Sequence, residues 1–158
     1  MKKLSHVNDQ GVAEMVDVGG KEESLRVASA RVSVVMKTET LNLIQQGLHK
    51  KGDVLAVARI AGIQGAKRCS ELIPLCHPLM LEKISIDFEV DEELPGVVIT
   101  ASCSLSAKTG VEMEAMTAAS VTALTIYDMC KGVDRGMAIE RLQLVEKRGG
   151  KSGTWVRR

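Results

Sequence analysis

The 158-residue chain predicts an α+β fold, an antiparallel sheet with helices packed on one face, and three observations carry that prediction. Long stretches alternate apolar and polar residues at period two. A short turn joins two of them directly, and the other apolar stretches repeat at helical spacing.

Val12 to Val18 is expected to be a short extended piece, ended by Gly19, Gly20 and Lys21. The first long strand is expected from Leu25 to Met36, where Ala28, Ala30, Val32, Val34 and Met36 share one face among many β-branched residues. After Thr38, Leu41, Ile44 and Leu48 stand at helical spacing, which predicts a short helix closing near Gly47. Asp53 is placed to cap a second, longer helix that ends before Pro74. Ala58, Gly62, Ala66 and Ser70 recur every four residues along it, a stripe of small side chains that would let another backbone approach closely.

Pro74 and Pro78 bracket Leu75, Cys76 and His77, which predicts a stiff, extended link. Beyond it Ile84, Ile86, Phe88 and Val90 alternate with polar residues, Glu93 to Gly96 makes a turn, and Val97, Ile99, Ala101, Cys103 and Leu105 alternate again. The pair reads as an antiparallel hairpin. From Ala115 through Tyr127 no charge occurs. That run is too short to cross a bilayer, so it predicts a helix buried on most of its surface. A last strand is expected from Met137 to about Lys147, before a glycine-rich tail. From Leu25 onward the order is strand, helical region, strand, strand, helix, strand, the split βαβ order of ferredoxin-like folds. A chain of this length is expected to form a single domain, residues 1–158, with a mobile N-terminal arm (about 1–11) and a Gly-rich tail (about 148–158).

Composition removes several classes of function. With 21 basic and 20 acidic residues the net charge is +1, and aromatics make up 2% of the chain. There is neither an electrostatic footprint for nucleic acid or an anionic membrane nor a platform for stacking bases. The opening MKKLSHVNDQGVAEM has no apolar run after its lysines, so no secretory signal is expected. The four cysteines lack C-x-x-C spacing, which favours reduced thiols in the cytoplasm, and only Cys76 and His77 are neighbouring ligand types, so no metal site is expected.

Four groups could carry chemistry. His77, held between prolines, suits proton transfer or phosphate binding, since histidine changes charge near neutral pH, or it is simply buried among its apolar neighbours. Asp128 and Lys131, at i and i+3 in the uncharged helix's last turn, form either an ordinary surface pair or an acid and a base facing a cleft. Glu112 and Glu114 flank Met113 at that helix's start, where they can serve the helix dipole or hold a polar heterocycle through its N–H donors. Cations beside glycine recur in Lys51-Gly52, in Gly65 to Arg68 and in Lys147 to Gly153, and together would suit a polyphosphate. Gly150-Lys151-Ser152 is not the end of a Walker A loop, because Val145 occupies the first glycine position and no helix follows.

The strings MVDV from Met15, KGDV from Lys51, ARIAGIQ from Ala58, LIPLCHPL from Leu72, KTGVEMEA from Lys108, LTIYDMCK from Leu124 and GGKSG from Gly149 resemble the MoaC family of molybdenum cofactor biosynthesis over almost the whole chain. The resemblance implies a lyase that converts 3',8-cyclo-7,8-dihydro-GTP to cyclic pyranopterin monophosphate and releases pyrophosphate. It implies Asp128 as catalytic acid/base with Lys131 beside it, Lys51 as a functional lysine, and substrate contacts at Leu75, Cys76, His77, Met113 and Glu114. Arg26, Lys67 and Lys147 are implied as further polar or phosphate-facing members, and Glu112 joins Glu114 as a substrate-binding candidate. The implied fold is ferredoxin-like and the implied assembly a homohexamer, a trimer of dimers with sites at subunit interfaces. No cofactor is expected, apart from a divalent ion that could accompany the triphosphate.

Overall fold

The computed structural model describes residues 5–48 and 50–158. Its elements are β1 (Ser24–Val35), α1 (Thr38–Gln45), α2 (Val54–Lys67), α3 (Cys69–Leu72), β2 (Lys83–Asp91), β3 (Gly96–Ala107), α4 (Glu112–Cys130), β4 (Ala138–Arg148) and β5 (Trp155–Val156). One five-stranded sheet has the order β2-β3-β1-β4-β5, and every neighbouring pair is antiparallel. With β5 set aside this is the expected ferredoxin-like arrangement.

The alternation of β1 and β3 places Ala28, Ala30, Val32 and Val34 opposite Cys103, Ala101, Ile99 and Val97, and all eight are buried on one face. Helix α4 lies across that face over β1, β3 and β4, while α2 packs on α4 and on β2. The other face is polar: Ser29 and Ser102 hydroxyls meet across the strands at 2.7 Å, and Arg31 pairs with Glu89. α4 is buried along most of its length, through Ala115, Ala118, Ala119, Ala123 and Ile126. Among the described residues no helix is long and apolar enough to cross a membrane.

Of the expected stripe, Ala58, Gly62 and Ala66 lie buried on α2, while Ser70 falls in α3. A Cβ built on Gly62 would collide with the Thr122 hydroxyl and stand 3.1 Å from the Ala118 carbonyl oxygen, and one built on Gly65 would press into Val121. The two helices run antiparallel, so the start of α2 lies by the end of α4. Asp53 caps α2, accepting a hydrogen bond from the Ala56 N–H at 2.9 Å.

Four local readings differ from expectation. The long second helix breaks at Arg68, where the backbone leaves helical geometry, and resumes as α3. The break turns Cys69 into the core, where its sulfur accepts a hydrogen bond from the Thr117 hydroxyl at 3.4 Å. The Pro-bracketed link opens with a turn, the Cys76 N–H donating to the Ile73 carbonyl at 3.1 Å, because Pro74 at the second position favours a turn over a straight strand. Val12 to Val18 makes only an isolated bridge, Ala13 to Val7, closing a small loop that Asn8 organises by accepting from the Gln10 and Val12 N–H groups. The glycine-rich tail returns as β5, which pairs Trp155 and Val156 with Lys147 and Glu146. The expected N-terminal arm falls partly on residues 1–4, outside the described residues.

Candidate active site

Two adjoining cavities occupy the end of the molecule where α4 begins. The first, about 860 Å³, is walled by the Leu75-Cys76-His77 link on one side and by Glu112, Met113 and Glu114 on the other. The N-terminal segment closes it through His6, Val16 and Val18. His77 donates from Nε2 to the Val16 carbonyl oxygen at 2.8 Å, which fixes the ring against that segment and leaves Nδ1 without a hydrogen-bond partner among the described residues. Glu114 is 4% exposed, and burial raises its pKa above the ordinary carboxylate range, with the nearby Glu112 charge acting in the same direction. Burial also pushes the Cys76 thiol up, and Cys69 beneath it to about 12, so neither is a ready nucleophile.

The second cavity, about 770 Å³, is lined by five cations, Lys21, Arg26, Lys108, Lys147 and Lys151, with Glu22, Glu23 and Glu112 among them. Arg26 is oriented by the bond its Nε donates to the Ala107 carbonyl at 3.0 Å, and the tail crosses so close to it that a Cβ on Gly150 would collide with the guanidinium. Gly149 and Gly150 both take positive φ, +96° and +73°, which lets the tail make this crossing. Lys21, Thr109, Gly110 and Glu112 line both cavities. At that boundary Lys147 Nζ stands 2.5 Å from Glu112 Oε1, so Glu112 turns to a lysine rather than to the helix end.

Lys147 reaches this place through an irregularity of β4. Leu144 lies opposite Ala30 on the helix-covered face, and strict alternation would put Lys147 on the other one. The register with β1 shifts between Ser29 and Ala30, so that Glu146 opposes Ser29 and Lys147 opposes Ala28, on the helix side. A bulge at Val145 therefore aims the lysine into the site.

The remaining expected residues stand elsewhere. Asp128 and Lys131 pair at 2.6 Å at the far end of α4, and Lys51 Nζ donates to the Asp128 carbonyl oxygen at 3.1 Å. The hydrogen bond and charge of Lys131, with Lys51 adding to them, hold the Asp128 carboxyl below its ordinary value, and Asp128 in turn raises Lys131. This cluster is exposed. Just beyond it Asp134, 2% exposed, accepts from the Lys37 and Gly136 N–H groups and the Thr40 hydroxyl, locking the loop after Lys131 to the start of α1. Between Glu114 and Asp128 the helix advances roughly 21 Å, so one chain does not bring the two clusters together. Lys67, at the end of α2, is exposed and lines neither cavity.

Sequence reasoning missed Lys21, Lys108 and the N-terminal wall. Lys108 carried a usable signal, a cation two residues from Gly110 like the other cation and glycine pairs, and Val16 and Val18 fall in the MVDV string, whose resemblance marked the segment without assigning it a wall of the site. Among the described residues no group of three or more histidine, cysteine, aspartate or glutamate side chains is arranged to hold a metal ion.

The chain resembles known proteins along nearly its whole length. Proteins of Brucella ovis, Brucella melitensis biotype 2 and Brucella abortus (strain 2308), each called cyclic pyranopterin monophosphate synthase, are 58% identical to this chain over 154 residues, covering 98% of it and 93% of the relative. The MoaC family model matches residues 15–150, a span that holds both cavities' principal residues and the Asp128 cluster, and the chain belongs to the MoaC family.

Proposed function

We propose that the protein is a lyase of molybdenum cofactor biosynthesis that converts 3',8-cyclo-7,8-dihydro-GTP to cyclic pyranopterin monophosphate and releases pyrophosphate. The observation that carries this reading is the junction of an apolar, carboxylate-bearing cavity with a cation-lined one. A purine-derived heterocycle needs the first, where Glu112 and Glu114 face its N–H donors, Met113 and Leu75 cover its faces, and His77 and Cys76 border it. A triphosphate needs the second, where Arg26, Lys147, Lys108, Lys21 and Lys151 offset its charge.

The proton chemistry belongs to Asp128, Lys131 and Lys51. Since α4 holds them far from its own chain's cavities, a second copy delivers them, and a homohexamer built as a trimer of dimers completes the sites. Lys67 then serves the phosphate from a neighbouring copy. Asp128, kept ionised by Lys131, accepts a proton as the five-membered ring opens, and Lys131 returns one as the pterin closes. Lys51, beside Asp128, stabilises charge on the departing pyrophosphate as a hydroxyl of the sugar-derived part takes its place on the α-phosphorus and closes the cyclic phosphate. The step is a rearrangement and calls for no redox cofactor. A divalent ion would arrive with the triphosphate as part of the substrate. Four free cysteines fit a reducing cytoplasm.

The test is direct. Incubation of the purified protein with the cyclised GTP intermediate should yield pyrophosphate and, after oxidation, a fluorescent pterin. Binding without either product would leave a ligand-binding module, and pyrophosphate without pterin would leave a hydrolase.

A further inference from the structure

Gly110 stands just before α4, on the boundary of both cavities, and the space where a side chain would project is already filled. A Cβ built there collides with the Glu112 carboxylate, meeting Oε2 first and lying 2.8 Å from Cδ and 2.9 Å from Oε1. The same carboxylate holds Lys147 Nζ at 2.5 Å through Oε1. Both partners are about three-quarters buried, with side-chain exposures of 27% for Lys147 and 26% for Glu112, so their pairing is less screened than a surface pair. Gly110 is not in the left-handed region, so its backbone does not require glycine. What requires it is the carboxylate lying over it.

We infer that Gly110 is a positioning residue: its missing side chain is the space in which Glu112 lies to hold Lys147 between the two cavities, and Glu112 thereby sets how strongly the basic cavity holds phosphate. The inference rests on the reading of that cavity as a triphosphate site. An incoming phosphate competes with Glu112 for Lys147, and release of the lysine frees the carboxylate toward the heterocycle.

Gly110→Ala tests this with little risk to the fold, because the new methyl group meets only the end of a flexible side chain, which can swing aside. Calorimetry with inorganic tripolyphosphate should show the variant binding about fivefold more tightly than wild type, as a carboxylate leaves the cation. Glu112→Gln should do the same, and the double variant should bind no more tightly than either single one. Turnover of the cyclised intermediate should fall on the order of 10²-fold in Gly110→Ala, as a misplaced group does, with no further loss when that change is added to Glu112→Gln. Wild-type affinity in Gly110→Ala, effects of the two substitutions that multiply, or no tripolyphosphate binding by any of these proteins would overturn the inference. Failure of the wild type to make product would instead sink the proposed reaction, while the tripolyphosphate cycle still decides the role of Gly110.

Discussion

Glu114 and Asp128 are carboxylates of one helix with opposite fates. Burial raises the pKa of Glu114, so folding favours its protonated form. The sign follows: its contribution to stability is fully present below the ordinary carboxylate pKa and is lost as pH rises through the folded value. Glu114→Gln should therefore be more stable than wild type at neutral pH, with the difference closing as pH falls toward 4.5, the ordinary value. Urea denaturation at several pH values checks this, and a gap that widens in acid would contradict the burial argument. Asp128 is shifted the other way by Lys131, so its charged form persists to lower pH. In Lys131→Met the Asp128 carboxyl titration, followed by carbon-13 NMR, should move up toward the ordinary 3.8. An unmoved midpoint would mean that the pair seen at 2.6 Å does not hold in solution.

At the scale of elements, the contact between α2 and α4 depends on Gly62. Alanine is the better helix former by about 1 kcal/mol. Overpacking a tight contact costs about 1–3 kcal/mol, and the methyl would meet the Thr122 hydroxyl, itself bound to the Ala118 carbonyl at 2.8 Å. Gly62→Ala should lose about 1 kcal/mol net in urea denaturation, with partial rescue by Thr122→Ala; a stabilised variant would refute the close approach. This contact was legible in the sequence because a four-residue spacing is a property of the helix alone. So were β1, the β2–β3 hairpin and the Asp53 cap, each written in local pattern. The break at Arg68 was not, since it serves a distant partner, Thr117. The bulge at Val145 was equally silent: alternation read along β4 assigns Lys147 to the wrong face, and only the pairing with β1 corrects it. Two-residue β5 lies below the length at which any period can be read.

For the whole molecule, the candidate residues were legible as a set, while their partition was not. The sequence already set Glu114 and Asp128 at opposite ends of one helix; which copy supplies each cavity's partner residues is not written in any motif. If two copies complete each site, Glu114→Gln and Asp128→Asn should each be nearly inactive alone. Co-refolding the two should restore turnover, because some interfaces then pair an intact cavity with an intact Asp128. Continued inactivity of the mixture, with oligomers formed normally, would place the whole site within one chain. The expected placement of Lys67 is checked in the same way, by complementation of Lys67→Ala with Glu114→Gln.

The tail offers a last consequence. Residues Gly149 to Thr154 leave β4 and return to it as β5, with the Arg157 N–H also donating to the Val145 carbonyl at 2.9 Å. Lys151 and Ser152 thus ride on a hoop anchored at both feet, whose ordering is completed when the chain folds rather than each time an anion arrives. A chain stopped before Trp155 would keep every cation of the basic cavity yet hold one of them on a loose tether. Its affinity for triphosphate should fall although no ligand contact has been removed, and tripolyphosphate calorimetry beside an unchanged urea midpoint would reveal it.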